Sequence, residues 1–174
     1  VTSINGSARY VVEFIGTACH AGTTPMDRRS DAAAGAAEVI LAVERRARQD
    51  ADSVATVGQL LVPGGSVNVV PGRCQFSLDL RAPSDAQRDA MVHDVLAAVQ
   101  EICDRRQLRF TLEETMRASA APSDALWQAR WTQAVDALGV PVHTMTSGAG
   151  HDAMKLHEVM PQAMLFVRGQ NAGI

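Results

Sequence analysis

Aromatic residues are scarce, at 4% of 174 residues, so the chain offers no platform on which the bases of a single strand could stack. An excess of one charge is missing as well. Sixteen Lys and Arg against nineteen Asp and Glu leave a formal charge of −3 dispersed along the sequence, without the basic field that a phosphate backbone requires. Together these exclude nucleic acid as a partner. No apolar run approaches the roughly 20 residues that span a bilayer, and the first residues lack the charged, apolar and small-residue order of a secretory leader. No membrane partner and a cytoplasmic setting are therefore expected. The three cysteines, Cys19, Cys74 and Cys103, are odd in number and have no C-x-x-C spacing, which argues against a disulfide framework and a thiolate zinc site. They read as reduced packing residues. Cys19 beside His20 is a weak nucleophile and base pair, because neighbours on a strand point to opposite faces.

What is present is enough apolar material, 47% of the chain, for one sizeable domain or a small domain plus a further piece. Residues 9 to 17 are rich in β-formers, and 31 to 49 place Ala33, Ala36, Ile40, Val43 and Ala47 at helical spacing. A second strand is expected over 53 to 62, before the turn residues P-G-G-S. A third, over about 73 to 82, is the clearest in the chain, since Cys74, Phe76, Leu78 and Leu80 alternate with Arg73, Gln75, Ser77, Asp79 and Arg81. Arg81 then lies on the side away from the helices. Ser84 and Gln87 have capping-box spacing, and Met91, Val95, Ala98 and Ile102 predict a second helix to about 106, followed by a strand through Leu108, Phe110 and Leu112. Two helices over one face of a four-stranded antiparallel sheet bury both stripes in two layers, so a ferredoxin-like α+β domain is expected over 1–117. Its exposed strand edges invite pairing across a dimer.

From 118 the character shifts. Ser123 is placed to cap a helix carrying Trp127, Trp131, Val135 and Leu138, and 142 to 167 has a β-loop-α-β form with M-L-F-V as its second strand. One crossover unit cannot cover both faces of a parallel sheet. Residues 118–174 are thus expected to be an incomplete piece of a larger α/β domain, and the chain a segment of a longer protein.

Two stretches concentrate special groups where an extended segment gives way to a helix. These are His20-Ala21-Gly22-Thr23-Thr24-Pro25 and Ser147-Gly148-Ala149-Gly150-His151-Asp152; with Asn68 and Arg81 they supply imidazole, amide and guanidinium groups for one small anion. Each has a plainer alternative. His20 could cap its own turn, Arg81 could pair with a carboxylate across the sheet, and the glycines could serve a strand-to-helix turn. Asp152 reads as a helix N-terminal residue, and Arg29 and Asp31 as organisers of the first helix. His151 and His157 fail as a metal pair, because helical residues six apart lie about 120° from a common face. Ser147 lacks a G-x-S-x-G elbow for a serine hydrolase.

In this order and spacing, H-A-G-T-T-P-M with Arg29 and Asp31, N-V-V-P-G, F-S-L-D-L-R and S-G-A-G-H-D-A resemble the hydantoinase/carbamoylase branch of the M20 metallopeptidase family. The resemblance covers nearly the whole chain. It implies a lid domain that carries a homodimer interface, and a reaction in which N-carbamoyl or ureido groups are hydrolysed from small carboxylates. It implies two divalent ions, zinc or manganese, nickel or cobalt, with ligands outside this segment, so no metal ligand is assigned here. His20 becomes the lid histidine that reaches the other subunit's active site and stabilises the oxyanion. Asn68 and Arg81 become the pair that holds the substrate carboxylate, with Gly150 and His151 in the loop that meets the same end. Alone, such a segment is expected to be inert. The alternatives are a dimerisation or ligand-binding module without catalysis, and an M20 aminoacylase or peptidase relative.

Overall fold

The structure, a computed structural model, describes residues 1–169; 170–174, at which the sequence reading ends its incomplete unit, lie outside them. The chain opens with a short strand β1 (Ser3–Ile4), then a long one, β2 (Gly6–Ile15). Ala8, Tyr10, Val12 and Phe14 of β2 turn into the core while Arg9 stays exposed on the opposite face. After β3 (Cys19–His20) and a single 3-10 turn (Met26–Arg28) comes helix α1 (Ala32–Ala47). It starts where the Asp31 carboxylate accepts from the amides of Ala33 and Ala34, satisfying two otherwise orphan donors. The buried stripe of α1 is Ala32, Gly35, Ala36, Val39, Val43 and Ala47, rotated slightly from the expected one. Gly35 is the reason. It contributes nothing to an apolar pattern, yet a Cβ there would meet Leu108 at 2.5 Å and Phe14 at 3.2 Å, so this is where helix and sheet approach most closely.

The second strand of the expected fold forms in two pieces, β4 (Val54–Thr56) and β5 (Leu60–Leu61). Thr56 faces Asp79 and Leu60 faces Phe76, so four steps on one strand oppose three on the other, and the surplus residue is taken up around Gly58 as a bulge. Next come β6 (Val69–Val70), which pairs with β3, and β7 (Arg73–Ala82). Strand β7 alternates as expected, with Cys74, Phe76, Leu78 and Leu80 buried. Helix α2 (Asp85–Arg106) begins at Ser84, whose hydroxyl accepts from the Gln87 amide at 3.3 Å. The last long strand, β8 (Arg109–Ala118), runs six residues past Leu112.

The order β4/β5, β7, β2, β8 is antiparallel throughout, with α1 and α2 packed over one face, the expected ferredoxin-like arrangement. Phe14 lies at the centre of the core, edge-on to Phe76 at 5.1 Å and near Phe110 at 6.4 Å. The sheet's other face is polar, from Arg73 paired with Glu13 at one end to Arg9, Asp79 and Arg81 at the other.

The remaining residues pack against the chain's own beginning. Strand β9 (Ala121–Pro122) pairs with β1, and Ile4 makes a parallel bridge to Ser147. Two segments therefore cross side by side between the sheet and these strands, one at Asn5–Gly6 and one at Ala118–Ala120. Asp85 accepts from the Ala120 amide, and the buried Arg88 donates to the Ala118 carbonyl, both at 2.8 Å. A Cβ on Gly6 would meet the Ala120 nitrogen at 2.7 Å.

Helix α3 (Ala125–Ala137) is capped by Asp124 rather than by Ser123, and α4 (Ala153–His157) is five residues long. The expected strand at 164–167 does not form. Helix α3 buries no residue, and Trp131, Leu138, Phe166 and Val167 are exposed, so the neighbours that a parallel strand needs on its sides and faces are missing among the described residues.

Candidate functional site

The sequence-predicted site residues fall into two groups at opposite ends of the sheet. At the end where β2 finishes, His20 lies opposite Val69 in the β3–β6 ribbon, and the Ala21 amide donates to the Asn68 carbonyl at 2.9 Å. His20 and Asn68 are therefore neighbours, both exposed. The His20 ring is oriented by its own turn, with Nδ1 accepting from the Gly22 amide at 3.1 Å. The neutral ring must then carry its proton on Nε2, which faces outward as a donor. Asn68 Oδ1 accepts from the Ser66 hydroxyl at 3.1 Å, so its amide nitrogen is the end left for a ligand.

At the other end, Arg81 is held by Asp79. Nε donates to Oδ1 at 2.8 Å and Nη2 to Oδ2 at 2.7 Å, a two-pronged pairing of residues two apart on one face of β7. Arg9, opposite Asp79 on β2, adds a third bond at 3.0 Å. The Arg81 hydrogen bonds hold the Asp79 carboxyl below the usual carboxylate range, with the Arg81 and Arg9 charges acting in the same direction. The plain alternative for Arg81, pairing with a carboxylate, is thus realised along its own strand rather than across the sheet. Its remaining nitrogen, Nη1, donates to the Gly148 carbonyl at 2.8 Å. Arg9, Ser77, Asp79, Arg81, Gly148 and Ala149 line one cleft of about 780 Å³.

The loop carrying Gly148 is fixed by Ser147, which is 1% exposed. Its amide donates to Ser3 and its carbonyl accepts from Asn5, each at 2.8 Å, while its hydroxyl donates to the Ala149 carbonyl at 2.9 Å. A buried hydroxyl committed to loop shape, with no histidine beside it, is not a nucleophile. Gly150 and His151 follow on the same loop. His151 is exposed, and its ring stands 5.9 Å from Phe166 at a 54° tilt.

Arg81 and Asn68 do not meet within one chain. Between Arg73, where β7 begins beside the β3–β6 ribbon, and Arg81 the strand advances eight residues, about 27 Å at roughly 3.4 Å each. One functional candidate escaped sequence reasoning, and a second was given a different role by it. The D-x-R spacing in S-L-D-L-R was a legible signal for Asp79, since residues two apart share a face. Arg29, read from sequence as an organiser of the first helix, instead binds the carbonyls of Ala21 and Thr24 with its guanidinium. Among the described residues no group of three or more His, Cys, Asp or Glu is placed to hold a metal ion, and no helix is long and apolar enough to cross a membrane.

Known proteins share the sequence and the fold of this chain. The family profile of the peptidase dimerisation domain matches residues 2–107. The chain is 36% identical to an N-carbamoyl-L-amino acid amidohydrolase of Geobacillus stearothermophilus, over 98% of its own length and 42% of that protein's. It is 34% identical to an allantoate amidohydrolase of Bacillus subtilis, over 96% and 41% respectively. Among solved structures, a hydantoinase/carbamoylase family amidase from Burkholderia multivorans superimposes with a TM-score of 0.89 at 36% identity, covering 92% of this chain and 39% of that one. The chain thus spans about two fifths of the length of these relatives.

Proposed function

Because the chain belongs to the peptidase dimerisation domain family of the M20 enzymes, we propose that it is the lid and dimer-forming part of a metal-dependent amidohydrolase that removes N-carbamoyl or ureido groups from small carboxylates. The observation that carries the reading is Arg81, a guanidinium fixed by Asp79 at the wall of a cleft. A planar cation held in this way suits a substrate carboxylate. The loop at 148–151 supports the same end of the substrate, since a Cβ at Gly148 would meet nothing within 4 Å. Packing among the described residues does not require glycine there, whereas close approach of a ligand to the backbone would. Gly150 and His151 follow on the same loop, and in this proposal they meet the same end of the substrate.

In this reading His20 and Asn68 act on the partner's substrate. The edge formed by β8 is charged and bulged at Thr115, which blunts it, whereas the β4/β5 edge exposes Val54, Leu60 and Leu61 at 51%, 54% and 58%. Antiparallel pairing of that edge about a two-fold axis brings the His20 end of one protomer beside the Arg81 end of its partner. The lateral separation of the two β7 strands is then three strand spacings, about 14 Å, compared with about 27 Å along one chain. The outward Nε2–H of His20 would meet the oxygen on which negative charge develops as the ureido carbonyl is attacked, a contribution of about 3–4 kcal/mol in comparable sites.

The two divalent ions of this proposal, zinc or manganese, or nickel or cobalt, do not fit the described residues, and their ligands belong to the parts of the relatives that this chain does not cover. Arg81→Ala in the enzyme should chiefly raise KM for N-carbamoyl carboxylates. An equal loss on an uncharged amide analogue would remove Arg81 as the carboxylate anchor.

A further inference from the structure

The loop behind His20 is gripped by an arginine that the helix start does not need. The Asp31 carboxylate accepts from the Ala33 and Ala34 amides, and the Ala32 amide donates to the Pro71 carbonyl at 3.0 Å. Arg29 turns the other way. Its Nη2 donates to the Ala21 carbonyl at 2.6 Å and to the Thr24 carbonyl at 2.8 Å, and its Nε donates to Thr24 at 3.0 Å. Those two carbonyls bracket Gly22, the residue whose amide donates to His20 Nδ1. The turn is tight as well as tied, since a Cβ on Gly22 would stand 3.2 Å from His20 Cε1.

We infer that Arg29 is a positioning residue for the His20 imidazole: by fixing the Ala21–Thr24 turn it keeps the Gly22 amide on Nδ1 and so presents His20 as a permanent Nε2–H donor. An imidazole free to change tautomer would spend part of its time with a bare, repelling lone pair toward the charge it serves. The guanidinium holds the Thr24 carbonyl through two nitrogens of one rigid plane while Nη2 also reaches Ala21, and the single nitrogen of an ammonium cannot copy the paired grip. The purpose of the donor rests on the function proposed above, but the geometry and its test do not.

The test is nitrogen-15 NMR of the histidine side chains of this chain in mildly alkaline buffer, where imidazole is neutral. His20 is expected as the Nε2–H tautomer. A net hydrogen bond of ordinary strength biases such an equilibrium roughly fivefold. Arg29→Met is expected to lower the His20 tautomer ratio by about that factor and to speed exchange of the Gly22 amide, while His93, His143, His151 and His157 stay unchanged. Arg29→Lys should give an intermediate ratio. A purely structural arginine would lower thermal stability and leave the tautomer alone, so an unaltered ratio in folded Arg29→Met overturns the inference. Should circular dichroism show Arg29→Met unfolded, Arg29→Lys is read by itself, and an unaltered ratio there overturns it equally. Neither readout needs turnover, so a failed hydrolysis assay would count against the proposed activity and leave this result standing.

Discussion

If His20 of one protomer serves the Arg81 cluster of the other, two inactive variants should repair one another. In the enzyme, His20→Ala removes a donor whose loss costs about a hundredfold to a thousandfold in comparable sites. Arg81→Ala removes the carboxylate anchor, about 2–5 kcal/mol for a charge-assisted pair at an interface. Each parent should therefore be nearly silent. Random reassociation of equal amounts makes half of all dimers mixed. In a mixed dimer one site takes His20 from the Arg81→Ala chain and Arg81 from the His20→Ala chain, while the other site has neither. Half of the dimers with one of two sites intact gives about a quarter of wild-type activity. The control runs in reverse. A chain carrying both substitutions, mixed equally with wild type, should reduce activity to about a quarter, because every mixed dimer has one residue missing at each site; sites within single chains would retain about half. Initial rates of carbamoyl hydrolysis after dissociation and reassociation decide between them. Activity that stays at the average of the two parents would refute the two-chain site and, with it, the β4/β5 edge as the interface.

Two further outcomes concern the fold. Phe14→Ala empties the centre of the core and loses the edge-on contact with Phe76, so denaturant unfolding should show a loss of about 3–5 kcal/mol; a loss under about 1 kcal/mol would mean that the core is not closed around that ring. Glu38 on α1 is paired with Arg105 and Arg106 of α2, whose hydrogen bonds hold its carboxyl at about 2. A folded-state value below the unfolded one gives stability that is present above about 4.5 and is lost as pH falls toward 2. For a partly exposed pair this is worth no more than about 1 kcal/mol. Unfolding midpoints measured over that window should flatten in Glu38→Gln, and an unchanged slope would show that the pairing contributes nothing.

The parts of the fold that could be read from sequence were those with a strict period. Strand β7 announced itself because four apolar residues alternate with polar ones, and that alternation also put Arg81 on the correct face. Helix α1 was legible apart from its exact rotation, since Gly35 has no side chain to register in a pattern yet occupies the point of closest approach. The break between β4 and β5 was hidden because a bulge changes register without changing composition. The strand expected at 164–167 was read from local preference, and a parallel strand depends on neighbours that no local pattern contains. The site divided in the same way. Motifs supplied His20, Asn68, Arg81 and the 147–152 loop, but not their distribution over two ends of one sheet, which follows only from strand order and direction. Arg29 was read only as an organiser of the first helix, because its true partners are backbone carbonyls, which every residue has.

The neck where Asn5–Gly6 and Ala118–Ala120 run side by side gives the sheet a lever. Arg81 lies close to that fulcrum and His20 at the far tip, so a rotation of about 10° would leave the arginine nearly still and carry the histidine roughly 5 Å over an arm of about 27 Å. Small adjustments at the Asp85 and Arg88 clamp would thereby be geared up at His20 and suppressed at Arg81, so that the two ends of one sheet answer the same motion by very different amounts.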